Sequence, residues 1–190
     1  MIHMKKTFAF SSFVGIIVAV ISFKTIAQDS TGIPKNQMVP EFALPDLNGN
    51  IVKSKSYSGK FLVIHIAATW CPFCNAEAPH LEQLNKDYKD KNVSVLIIDV
   101  KEPVELVNTK LQQRFNFTFP VLIDSDGAVA ASFAPDDVLP DLARDEVMLA
   151  SNILVDAEGK IQFFSLLDSK NFDAKLITLK AKLDELLVRQ

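Results

Sequence analysis

Two apolar runs constrain this chain most: Phe61-Leu62-Val63-Ile64-His65-Ile66 and Val93-Ser94-Val95-Leu96-Ile97-Ile98-Asp99-Val100, each followed by a stretch with helical spacing. Runs so short and so continuously apolar read as strands covered on both faces, the habit of parallel strands joined by crossovers. After the first, Glu77 to Lys91 carries Ala78, Leu81, Leu84 and Tyr88 on one stripe, and Pro79 is expected to bend that helix rather than end it. After the second, Val104 to Phe115 is expected to turn Val104, Val107, Leu111 and Phe115 inward. Strand, helix, strand, helix implies parallel pairing with right-handed crossovers, and hence an α/β class.

The remaining segments fit around that unit. Pro40 to Asp46 alternates apolar and polar residues, then turns at Asn48-Gly49-Asn50 into Ile51-Val52, an N-terminal hairpin at a sheet edge. Phe119 to Asp124 reads as a short strand leading into the turn Asp124 to Gly127. Ser151 to Val155, the turn Asp156 to Gly159 and Ile161 to Leu166 read as an antiparallel hairpin. Phe172 to Leu187 reads as a last helix with Leu176, Leu179, Leu183, Leu186 and Leu187 on its stripe. Between Phe133 and Met148 the chain is too long and too charged for a simple connection, so a loop with a helical turn or two is expected, either a solvated cover or a lip beside the cysteines.

The N-terminus has the organisation of an export signal. Lys5 and Lys6 precede an apolar run from Phe8 to Phe23, and Thr25-Ile26-Ala27 supplies a cleavage site before Gln28. An uncleaved anchor is the alternative. Both place the working domain outside the cytoplasm, periplasmic or membrane-anchored and facing the periplasm. The expected organisation is a signal over 1–27, a flexible lead-in over 28–37 and one domain over 38–190. Without residues 1–27 the chain keeps 17 Lys+Arg against 23 Asp+Glu, a net charge of −6, which argues against nucleic acid as a partner.

The only two cysteines lie in Trp70-Cys71-Pro72-Phe73-Cys74, where the first apolar run hands over to its helix. A structural disulfide closing so small a loop gains little, because the entropic benefit grows with loop length. A structural zinc site takes about four ligands, and no second Cys or Cys/His pair is present to complete one. Reversible thiol-disulfide chemistry suits the placement: a Cys71 at the helix N-terminus is favoured as thiolate, and Cys74 lies one turn on.

These residues resemble the thioredoxin-like fold, and within it the exported thiol-disulfide oxidoreductases of the TlpA/ResA type, part of the redoxin (AhpC-TSA) group that also contains peroxiredoxins. The resemblance spans about residues 38 to 188. It is carried by Pro40-x-Phe42-x-Leu44-x-Asp46-x-x-Gly49, by Ala68-Thr69-Trp70-Cys71-x-x-Cys74-x-x-Glu77-x-Pro79, by Phe119-Pro120-Val121 with Asp124, and by Ile153-Leu154-Val155-Asp156-x-x-Gly159-Lys160-Ile161. It implies a three-layer sandwich with a central mixed sheet, the added hairpin and flanking helices. It further implies a Cys71–Cys74 disulfide couple with Cys71 as nucleophile and Cys74 as resolving thiol, no cofactor and no metal. Protein thiols or disulfides are the implied partners, with a membrane-linked electron donor.

Supporting roles follow from the same resemblance. Trp70 would pack beside the disulfide, Pro72 and Phe73 would tune the Cys71 thiolate, and Pro79 would set the helix bend. Glu77 falls where such proteins place an acid that exchanges a proton with Cys74; the alternative is a solvent-facing first-turn acid that stabilises the helix start. The chain departs from the family twice. The usual cis-proline position falls at Ala150, with Pro140 as the alternative although the polar run after it does not read as the strand that should follow; at Ala150 a non-proline cis bond would cost about 3 kcal/mol, so a trans loop is expected. His65 stands where thioredoxins keep a buried acid, as a proton relay to Cys74 or as a satisfied core histidine. Two other functions compete. A peroxidase would need a threonine where Ala68 stands, a proline where Ile64 stands and a later arginine that the strand near Ala150 does not supply, and a copper carrier would draw on the two thiolates with His65 or His80.

Overall fold

The computed structural model describes residues 37–189; the expected signal, and the lead-in up to residue 36, lie outside the described residues. Five strands form one sheet in the order β5-β4-β3-β6-β7. They are β3 (Phe61–Ala67), β4 (Val93–Val100), β5 (Val121–Asp124), β6 (Ser151–Val155) and β7 (Ile161–Ser165). The first three are parallel to one another, β6 runs antiparallel to β3, and β7 runs antiparallel to β6, so the sheet is mixed as expected. Every residue of β3 is buried, which explains why its sequence is apolar without alternation.

The alternation is instead between two cores. Odd-numbered positions of β3 and β4, such as Val63, Ala67, Val95 and Ile97, share a core with helix α1 (Pro72–Tyr88) and helix α6 (Ile177–Leu187). Even-numbered positions Leu62, Ile64, Ile66, Leu96 and Ile98 share the other core with Phe42, Leu44, Ala130 and Met148. Fully burying one such Leu or Ile is worth about 1.5–3 kcal/mol, so a one-residue slip of β3 would exchange the cores and bring His65 into the wrong layer. The hairpin of β1 (Ala43–Pro45) and β2 (Ile51–Lys53) forms a separate two-stranded sheet, linked to edge strand β5 through a bridge between Asp46 and Leu122.

The helices depart from expectation in detail. α1 begins at Pro72, five residues before Glu77, because Cys71 caps it and proline suits a first helical position. Pro79 lies inside α1, and the helix runs on to Tyr88. After β4 the chain forms α2 (Val104–Val107), a π turn over Asn108–Gln112, and α3 (Gln113–Phe115). Val107 and Leu111 are buried there, but Val104, expected inward, is 37% exposed at the first turn. The charged segment after Phe133 carries α5 (Arg144–Val147), packed on the unforeseen short helix α4 (Ala128–Ser132) and tied to Lys101 by Asp145 at 2.8 Å. α6 starts at Ile177 rather than Phe172, since Leu176 adopts a left-handed conformation at its cap.

Candidate active site

The site is assembled at the C-terminal end of β3. Cys71 is the N-cap of α1, in extended conformation, and its sulfur accepts the backbone N–H of Cys74 at 3.2 Å. The helix therefore offers a donor and the positive end of its dipole to the Cys71 sulfur, which favours the thiolate when the bond to Cys74 opens. The two cysteines are joined in a disulfide with Cα atoms 5.3 Å apart. Cys71 is 4% exposed and Cys74 2%, a difference too small to choose between them, so the cap position is what distinguishes Cys71.

The turn that carries Cys71 is held by side chains. Asn75 donates from Nδ2 to the carbonyls of Thr69 (2.9 Å) and Cys71 (2.8 Å). Glu102, just beyond β4, accepts the Thr69 backbone N–H and, at 2.7 Å, the Thr69 hydroxyl. Beneath Glu102 lies Asp99, fully buried, neither of whose carboxyl oxygens has a hydrogen-bond partner. Burial, aided by the neighbouring Glu102 charge, pushes the Asp99 carboxyl up to about 9.

On the other side of β3 a second polar group runs inward. Glu77 is 2% exposed, so the alternative of a solvent-facing first-turn acid is overturned. Its Oε1 accepts from Nδ2 of Asn152 at 2.8 Å, while Oε2 has no hydrogen-bond partner. Burial raises the Glu77 carboxyl to about 8, against the lowering effect of the Asn152 amide and with a contribution from Asp173. Asn152 Oδ1 in turn lies 2.9 Å from His65 Nδ1, which is 3.5 Å from Glu77 Oε2. Burial holds His65 well below its usual range, at about 4, so the ring is neutral at physiological pH.

Of the other expected site residues, Trp70 immediately precedes Cys71 in the turn after β3 and is 67% exposed. Pro72 and Pro79 are exposed on α1, and Phe73 meets the ring of Phe172 edge-on at 4.9 Å. Ala150 is buried, with φ +59°, and its N–H donates to the Ile66 carbonyl at 2.9 Å; among the described residues no peptide bond is cis. A cavity of about 490 Å³ lies between β7 and α6, with Glu77, Ala150 and Asn152 in its wall beside Phe163, Phe172 and Leu176. His80 is half-buried on α1. Among the described residues no three His, Cys, Asp or Glu side chains gather as a metal site.

Asn152, Asp99, Glu102 and Thr69 are the site residues that reading the sequence did not single out. A signal for the first two was present, since each is a polar residue inside an otherwise apolar strand. Parallel strands collect their functional groups at the carboxyl ends, which is where Asp99 and Glu102 fall.

Known proteins resemble this chain in sequence and in fold. The family model described as AhpC/TSA family matches residues 36–164. The chain is 30% identical over 134 residues to the thiol-disulfide oxidoreductase ResA of Geobacillus kaustophilus, an alignment covering 70% of each protein. It is 32% identical over 106 residues to the thioredoxin-like protein YneN of Bacillus subtilis, covering 55% of this chain and 62% of that one. Among solved structures, a secreted disulfide oxidoreductase of Mycobacterium tuberculosis homologous to Escherichia coli DsbE superposes with a TM-score of 0.61 at 23% identity, covering 76% of this chain and 95% of that one, a likeness in fold. With a mixed five-stranded sheet, a capping Cys71 and its partner Cys74 in place, the chain belongs to the AhpC/TSA family, in its thioredoxin-like, ResA-type branch.

Proposed function

We propose that this protein works outside the cytoplasm as a thiol-disulfide oxidoreductase on protein partners, with Cys71 attacking and Cys74 resolving. The observation that carries the reading is the Cys71 sulfur at the α1 N-cap, receiving the Cys74 N–H. In the reducing direction the Cys71 thiolate attacks a partner disulfide, forming a mixed disulfide and releasing one partner thiolate. Cys74 then gives its proton to the Glu77 carboxylate, and the resulting thiolate attacks Cys71 and expels the second partner sulfur. Two electrons pass to the partner, and the protein is left as the disulfide with Glu77 protonated. That product state matches the raised Glu77 carboxyl in the disulfide form. The reverse direction uses the same atoms, Glu77 returning the proton to the departing Cys74 thiolate.

Export rests on the N-terminal pattern of basic residues, apolar run and small-residue site, and a membrane-linked reductant would then supply the electrons. Among the described residues no helix is long and apolar enough to cross a membrane. A peroxidase reading gains nothing from the site, because Ile64 and Ala68 are buried apolar side chains without a hydroxyl to orient peroxide.

The test is disulfide exchange with reduced protein and insulin. Cys74→Ser should accumulate a covalent adduct through Cys71 that a reductant releases, whereas Cys71→Ser should neither form the adduct nor turn over. An adduct of equal yield on Cys71→Ser, or full turnover by either variant, would reject the assignment.

A further inference from the structure

The sheet places three polar side chains in one unbroken contact beneath α1, and two of them have no place in the thiol chemistry itself. His65 is fully buried, Asn152 4% exposed and Glu77 2% exposed. All three face the layer between the sheet and α1, through the odd positions of β3 and the matching face of β6, where His65 and Asn152 are register partners. An ionised carboxylate only accepts hydrogen bonds, so when Glu77 is ionised the Asn152 group 2.8 Å from Oε1 must be its NH2. The amide oxygen is then turned to His65, and the imidazole nitrogen 2.9 Å away must be Nδ1–H. The chain of donors runs from His65 through Asn152 to Glu77, and it leaves Glu77 Oε2 as the oxygen without a hydrogen bond.

We propose that His65 is a positioning residue: its Nδ1–H locks the Asn152 amide with the NH2 toward Glu77, so that the carboxylate stays ionised long enough to take the Cys74 proton on Oε2. This rests on the role of Glu77 given above. Without His65 the amide is free to rotate and present its oxygen to Glu77, which opposes the ionised carboxylate and favours the protonated one. His65 therefore works in the sense opposite to burial. Its own proton never leaves Nδ1, so it is not a relay, and its place in the sheet is more than that of a filled core position.

Of the groups that titrate around Glu77, Asp173, before α6, faces it with like charge, Cys74 shares its helix, His65 faces it from β3, and Asp168, Lys182 and Glu185 line the same cavity. Asp99 lies on the same face of β4 and titrates in an overlapping range, so Asp99→Asn backgrounds are run in parallel.

The experiment follows resolution of a preformed mixed disulfide between Cys71 and a small aromatic thiol, as release of that thiol from pH 5 to 10. His65→Leu should move the midpoint of the profile upward by about one pH unit and slow release at pH 7 roughly tenfold, and His65→Gln, which keeps an N–H donor, should recover most of it. Imidazole 15N shifts of the unaltered protein should report the Nδ1–H tautomer of His65 at pH 9, a readout that needs no variant to fold. An Nε2–H tautomer there, or a His65→Leu profile identical to wild type, overturns the inference. If Glu77→Gln also leaves the profile unchanged, the role of Glu77 itself fails. If Glu77→Gln alters it and His65→Leu does not, only the role of His65 fails.

Discussion

Two buried acids lie on either side of β3, and they differ in what surrounds them. Glu77 has a neutral amide as its partner, one oxygen free of hydrogen bonds, and a cavity at its wall. Asp99 has no donor at all and faces the like charge of Glu102, whose two oxygens are committed to Thr69. Both carboxyls are raised by burial, so the raised value alone does not mark a catalytic acid. A group that exchanges protons needs its ionised form to be tolerated as well, and only Glu77 has a donor that tolerates it. Glu102, through its two bonds to Thr69, instead holds the turn on which Cys71 is mounted.

The largest expected effect tests whether the Glu77 side depends on its backbone. Ala150→Pro restores the residue usual in the family but requires φ near −65° where this chain has +59°, and it deletes the N–H that meets Ile66. It should lower unfolding free energy by about 3 kcal/mol or more, read by denaturant titration. A variant of unchanged stability would mean that the loop before β6 is not fixed as described. Next, Glu102→Ala removes the acceptor for Thr69 and should cost about 2 kcal/mol while slowing attack by Cys71 only severalfold. A loss of attack as deep as that of Cys71→Ser would dissolve the distinction between the two acids.

Asp99→Asn probes the charge itself. In the unfolded chain Asp99 ionises near 3.8 and in the folded protein near 9, so its protonated state stabilises the fold fully below the lower value, and that stability is lost as pH rises toward the upper one. The variant should flatten the fall in stability between pH 6 and 8, by roughly 2–3 kcal/mol, the worth of one bound proton across two pH units. Thermal unfolding at the two pH values gives the comparison, and an undiminished slope would show that Asp99 is not its source. Thr69→Val should have the smallest effect, about 0.5–1 kcal/mol, since the backbone N–H keeps its bond to Glu102.

Much of the fold was legible because burial wrote it into composition. β3 and β4 are apolar at nearly every position since both faces are covered, and the hairpins announced themselves through Asn48-Gly49 and Asp156 to Gly159. α4 was missed because Ala128, Val129, Ala130 and Ala131 are small, and five residues are too few for a stripe. The exposure of Trp70 was not legible from its size, since the chain between β3 and the α1 cap leaves this large aromatic 67% exposed. Cys71, Cys74 and Glu77 follow one another at three-residue spacing, each about one turn on from the last, and could be read locally. Asn152, by contrast, is 75 residues from Glu77, and only the register of β6 on β3 brings it there. The polarity of His65 and Asp99 in apolar strands was visible, whereas the partners that give each its role were not.

The most direct test of the central claim is the pH dependence of mixed-disulfide resolution in Glu77→Gln beside the unaltered protein. The amide keeps the shape of the side chain but cannot accept a proton. The expected result is release slowed about a hundredfold at pH 7 and rising tenfold with each pH unit as hydroxide replaces the lost base, against a profile in the unaltered protein that levels off as Glu77 ionises. Superimposable profiles would contradict the account, because Cys74 would then be losing its proton to something other than the buried acid three residues further along α1.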